Sequence, residues 1–155
     1  MEKENIIKRL QIAFESIPRP KTVSDGCPRK QCQEIEQWFG GKERSKLSTK
    51  DILILSNDFV LLNPEAFQYF LPILLEASLK DIQSITFDMF IQNLFCYPKL
   101  QGYKDQKEKL NPLTVTQSDI IVEIIEYWIE NEDIGDYWIT ELEKSLPYWR
   151  KKAKR

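Results

Sequence analysis

The sequence predicts an all-α fold of about six or seven helices around a kinked central helix. Three observations carry that prediction. Apolar residues recur at three- and four-residue spacing in successive segments, hydroxyl and amide side chains stand where helix starts need a cap, and prolines or paired glycines follow where the stripes stop. With 155 residues, 42% of them hydrophobic and 30% charged, the chain suits a single helical domain over residues 1–155, and disordered and fibrous classes are excluded.

The first helix is marked by a stripe of Ile6, Ile7, Leu10, Ala13, Phe14 and Ile17, and Pro18 and Pro20 end it. A loop through Pro28 leads to a second helix from about Arg29 to Phe39, closed by Gly40-Gly41, since a residue without Cβ takes the left-handed conformation cheaply. Ser48 stands three residues before Asp51, so each can satisfy exposed amides at the start of a short helix carrying Ile52, Leu53 and Leu55. Asn63, Pro64 and Glu65 then supply a cap, a first-turn proline and an acidic first turn. Behind them Phe67, Phe70, Leu71, Leu74, Leu75 and Leu79 form the broadest stripe, and Pro72 inside it predicts the kink over residues 68–72.

Phe87, Phe90, Ile91, Leu94 and Phe95 predict a helix from Thr86 to Tyr97, and residues 98–112 a long polar loop. Thr116 with Asp119 reads as the cap of a helix with Ile120, Ile121, Ile124, Ile125, Trp128 and Ile129 inward and Glu123, Glu126 and Glu130 outward. The last helix spans about Asp136 to Lys152, with Trp138, Ile139, Leu142 and Leu146 inward and Pro147 disturbing its end. Tyr69, Tyr148 and Trp149 lie where exposed contact residues are expected.

Chemistry is bounded mostly by what is missing. Without histidine there is no Ser-His-Asp, Cys-His or His-metal site, and none of the five glycines falls in a phosphate-loop spacing. No catalytic residue, cofactor or metal site is predicted, so the chain reads as no enzyme. Its longest apolar stretches, such as residues 71–75, fall short of the roughly 20 residues a membrane span needs. With no secretory signal at the N-terminus, the expected location is the cytoplasm.

Cys27 and Cys32 leave two alternatives open besides plain packing. One is a reversible disulfide or thiol redox role, favoured by Arg29, Lys30 and a nearby helix start. The other is a metal site, for which Cys96 would be the third ligand and a carboxylate or a second subunit would supply the fourth. Cys96, between Phe95 and Tyr97, reads as a buried apolar group.

Seven carboxylates, Glu126, Glu130, Glu132, Asp133, Asp136, Glu141 and Glu143, occur in a stretch with no Lys or Arg. They form either a solvated surface or a docking face for a basic protein. Residues 150–155, Arg-Lys-Lys-Ala-Lys-Arg, form a basic tail. Removing its five positive charges leaves 17 basic residues against 24 acidic ones, a formal charge of −7. Such a tail suits weak nucleic-acid association or simply complements a helix dipole. An overall pI near 5.4 argues against nucleic acid as the main partner.

Read in order, the Cys27 and Cys32 pair, Phe39-Gly40-Gly41, the run from Leu61 to Pro72 (Leu-Leu-Asn-Pro-Glu-Ala-Phe-Gln-Tyr-Phe-Leu-Pro) and Leu113-Thr114-x-x-Gln117 resemble a family of small bacterial proteins of unknown function. In that family a Pro-Glu-Ala-Phe-x-Tyr-x-Leu-Pro core follows a cysteine-containing N-terminal region. The resemblance covers about Phe14 to Trp149 and implies a shared fold and a bacterial source. The expected function is a non-enzymatic protein-interaction module. It would be an immunity-type or accessory protein that holds a basic partner through Glu126, Glu130, Glu132, Asp133, Asp136 and Glu141, with Tyr148 and Trp149 as aromatic contacts. The alternatives are thiol or metal chemistry at Cys27 and Cys32, and nucleic-acid contact through the tail.

Overall fold

Three helix starts in this chain, at Ser48, Asn63 and Thr114, are set by side chains that take up otherwise unpaired first amides. In the computed structural model, which describes residues 2–155, eight α-helices and four short 3₁₀ turns form, and no strand does among those residues, so the fold is all-α. The helices are α1 (Glu2–Phe14), α2 (Lys30–Phe39), α3 (Thr49–Asn57), α4 (Pro64–Lys80), α5 (Phe87–Ile91), α6 (Tyr103–Leu110), α7 (Val115–Asn131) and α8 (Asp136–Lys152). Contacts divide the chain into two units, one of Phe14–Phe90 and one joining the N-terminal segment through Ala13 to Ile91–Arg155.

In the unit Phe14–Phe90, both expected caps form. Ser48 Oγ accepts from the Asp51 amide at 3.1 Å while the Asp51 carboxylate accepts from the Ser48 amide at 3.0 Å. Asn63 Oδ1 accepts from the Ala66 amide at 2.8 Å, and its amide group donates back to the carbonyls of Thr22 at 3.0 Å and Ser24 at 3.3 Å. One side chain therefore starts α4 and holds the 22–24 segment beside it. The carboxylate of Glu36 on α2 accepts from the Val23 amide at 3.0 Å and the Ser24 amide at 3.3 Å. Around α4 the rings of Phe59 and Phe67 lie 5.0 Å apart, Phe59 and Phe90 5.3 Å, and Phe39 and Phe70 6.1 Å. Helix α4 runs without a break through Pro72 to Lys80, although Pro72 has no N–H to offer the Gln68 carbonyl.

Tyr69 is a correction, because it is buried rather than a surface contact. Ten of the seventeen α4 residues are buried, so the helix is covered beyond its main stripe. The Tyr69 hydroxyl accepts from the Arg44 amide at 3.0 Å. The Arg44 guanidinium lies 5.0 Å from the Tyr69 ring and donates to the carbonyls of Phe14 at 2.7 Å and Tyr69 at 3.0 Å.

In the other unit, α7 and α8 pack along each other, joined by residues 132–135. The cap of α7 is Thr114 with Gln117, a reciprocal pair at 3.0 and 3.1 Å, two residues ahead of the expected Thr116 with Asp119. Gln117 wins because its longer side chain also donates to the Ala13 carbonyl at 3.1 Å. Trp149 is not a surface contact residue. It is fully buried, and its indole N–H donates to the Leu94 carbonyl at 2.8 Å. The Cys96 amide donates to Ser145 Oγ at 3.0 Å. These two bonds draw the chain out of the helix expected to reach Tyr97, which instead stops as α5 and a 3₁₀ turn at Gln92–Leu94. The expected loop 98–112 contains α6, which follows Gly102 at a positive φ of 75° and buries only Leu110.

Asn63 separates capping from tethering. Asn63→Asp keeps the acceptor for Ala66 and loses the donations to Thr22 and Ser24, whereas Asn63→Ala loses both. Urea unfolding is expected to show a cost of about 1 kcal/mol for Asp and about 2 kcal/mol for Ala. Equal costs would contradict the double role.

Candidate functional site

The outward carboxylates of α7 do not all face solvent alone. Arg9 forks onto Glu123 at 2.5 and 2.7 Å, Arg150 reaches Glu126 at 3.3 Å, and Arg155 reaches Asp119 at 2.6 Å and Glu126 at 3.8 Å. The basic end, expected as a tail over 150–155, is helical through Lys152, buries Ala153, and turns its arginines onto α7. Such exposed pairs contribute about 0–1 kcal/mol each, so their main effect is to direct the chain end.

Charge without a basic neighbour in sequence gathers instead at the α7–α8 junction. Glu130, Asp133 and Asp136 are exposed and Glu132 is half-buried. Beside them Tyr137 is 66% exposed, its ring in edge contact with Trp138 at 4.9 Å, and Trp138 stacks on Phe95 at 5.9 Å. Trp138 is half-buried rather than a full core residue.

Glu141 leaves the proposed acidic face. Only 6% exposed, it accepts from the Tyr97 hydroxyl and from Lys144 Nζ at 3.1 Å. The Tyr97 hydrogen bond, ahead of Lys144, lowers the Glu141 pKa, and the same bond pushes the Tyr97 phenol up to about 12.

Cys27 and Cys32 form a disulfide with Cα atoms 5.9 Å apart, joining the loop before α2 to its first turn. Cys32 is buried and Cys27 half-buried. Each sulfur is bonded to the other, and among the described residues no group of three His, Cys, Asp or Glu is placed to hold a metal. Cys96 is a buried thiol whose pKa burial pushes up to about 11.

A further site escaped the sequence reading. Between residues 96–98, α6 and α8 lies a cleft of about 490 Å³, lined by Tyr97, Tyr103, Tyr148 and the lysines Lys107, Lys144, Lys151 and Lys152. Tyr148 is thus half-buried on the cleft wall, where burial raises its phenol pKa. One signal was available: Lys144, Tyr148, Lys151 and Lys152 fall at i, i+4, i+7 and i+8 on α8, a single stripe of its polar face. Its other wall, α6, carries no apolar stripe and so gave no periodic signal.

Over residues 2–153 the sequence matches a family described as "Family of unknown function (DUF6714)", and the chain belongs to that family. No curated protein and no solved structure matches it. Among the described residues no helix is long and apolar enough to cross a membrane.

The Tyr97–Glu141 contact has a pH signature. Glu141's lowered pKa makes its contribution complete above the ordinary carboxylate range and lost as pH falls through the depressed folded value. Tyr97's raised pKa makes its contribution complete below roughly 10 and lost as pH rises through about 12. Tyr97→Phe is therefore expected to cost about 1 kcal/mol at neutral pH, with the difference from wild type shrinking at both extremes in urea unfolding. A difference that stays constant across pH would contradict this.

Proposed function

We propose that this chain is a non-enzymatic protein-interaction module that holds a basic protein against the acidic, aromatic junction of α7 and α8. The observation that supports this reading is the exposed Tyr137 ring, seated on Trp138 and flanked by Glu130, Glu132, Asp133 and Asp136, in a stretch from Glu126 to Glu143 without Lys or Arg. Tyrosine and tryptophan anchors inside a polar rim carry much of the binding energy at protein interfaces, and complementary charge speeds encounter. The pairing of Arg150 and Arg155 with α7 disfavours a nucleic-acid role for the C-terminal end. An immunity-type or accessory protein in the cytoplasm, neutralising a basic partner, fits the size, the charge and the residues at this junction.

The Cys27–Cys32 disulfide favours a second reading, thiol exchange with a dithiol partner. A partner thiolate would attack one sulfur to form a mixed disulfide and release the other cysteine as thiolate. The partner's second thiolate would then resolve the mixed disulfide, leaving the partner oxidised and this pair reduced.

Affinity capture on the tagged full chain at low salt, run in parallel with Tyr137→Ala and with the combined Glu130→Lys, Asp133→Lys and Asp136→Lys variant, tests the first reading. The expected result is one stoichiometric basic protein retained by wild type and lost by both variants, with circular dichroism unchanged. Retention by both variants would overturn it, and a mixed disulfide on Cys27 or Cys32 would replace it with the second reading.

A further inference from the structure

We propose that the cleft between α6 and α8 binds a small organic phosphate that carries an aromatic ring. Its volume of about 490 Å³ lies within the range of roughly 300–1,000 Å³ usual for small-molecule sites. Four lysines line it and no carboxylate does, in a chain that is acidic overall. Glu141, which accepts from the lining residues Tyr97 and Lys144, is engaged by both. Among the described residues Lys107, Lys151 and Lys152 form no ion pair, while the arginines at the same end of α8 are turned onto α7. Like charges gathered around one cavity repel, and a dianion placed between them reverses the sign of that energy.

The ligand's two halves follow from the two kinds of wall. Lysine presents a compact point charge suited to phosphate oxygens. Lys152 is held at the rim by donating to the Asn111 carbonyl at 2.9 Å, and an anion beside it would offset the burial that lowers its pKa. Tyr97, Tyr103 and Tyr148 line the cleft and supply aromatic surface for a planar body. Lys144 and Lys107 lie 5.3 Å and 5.7 Å from the Tyr97 and Tyr103 ring centres, so charge and ring surface are presented side by side. A partly open cleft of about 490 Å³ has room for a monomeric ligand.

Isothermal titration of the full chain with phenyl phosphate, adenosine monophosphate, adenosine and inorganic phosphate tests the proposal. Both aromatic phosphates are expected to bind at millimolar or lower concentration, more tightly than adenosine or phosphate alone. Affinity should fall at least about tenfold in the combined Lys107→Glu and Lys151→Glu variant. Both lysines are exposed and form no ion pair among the described residues, so the variant should stay folded, with circular dichroism unchanged. Its urea midpoint should be slightly lower, from the lost Lys107–Tyr103 contact and the reversed charges at the two helix ends. Tyr103→Leu should weaken the aromatic phosphates and leave inorganic phosphate unchanged. Four outcomes would each overturn the proposal: no binding of either aromatic phosphate, equal binding of adenosine, affinity unchanged in the lysine variant, or tighter binding of a single-stranded oligonucleotide. These variants leave Tyr137 and its carboxylates intact, so this result and the capture experiment fail independently.

Discussion

A chain cut into short helices must find partners for many backbone groups that no helix satisfies, and here polar side chains from distant positions supply them. In Phe14–Phe90 the work is shared by Asn63, Glu36 and Arg44, which between them bond the backbone of Thr22, Val23, Ser24, Ala66, Phe14 and Tyr69. In the other unit Trp149, Ser145 and Gln117 do the same for Leu94, Cys96 and Ala13. A buried backbone group left without its partner costs about 1–3 kcal/mol, so each of these side chains outweighs any one of the exposed ion pairs.

The helices carrying apolar stripes were legible because periodicity reports directly on burial: Phe67 to Leu79 in α4 and Ile120 to Trp128 in α7 are core residues. Local caps were legible too, at Ser48 and Asn63, since their partners lie three residues away. What escaped depends on residues far apart in sequence. The cap of α7 sits at Thr114 because Gln117 reaches Ala13, and the chain leaves its helix after Leu94 because Trp149 and Ser145 take its backbone. Trp149 continues the stripe of Leu142 and Leu146, and its nearness to the basic end concealed that. Helix α6 forms from good helix formers with one buried residue, a case in which propensity and not pattern marks the helix.

Charge is arranged with the same division of labour. Arg150 of α8 and Arg155 beyond its end face the carboxylates of α7, while lysines on the neighbouring stripe of α8 line the tyrosine-bearing cleft. Carboxylates at the opposite end of the helix pair remain exposed beside Tyr137. The two proposed sites thus have opposite sign and separate residues, and a small anion and a basic protein need not compete for the same groups. The disulfide at Cys27 and Cys32 adds a covalent tie where the Val23–Ser24 segment meets α2.

Native-state hydrogen exchange tests the central claim most directly, by asking whether amides outside every helix are held as firmly as those within. The amides of Val23 and Cys96, bonded to Glu36 and Ser145, are expected to exchange as slowly as interior helix amides of their own units, such as Leu74 and Ile124. Exchange of Val23 and Cys96 at the rate of exposed loop amides such as Lys21 and Lys99 would contradict the account.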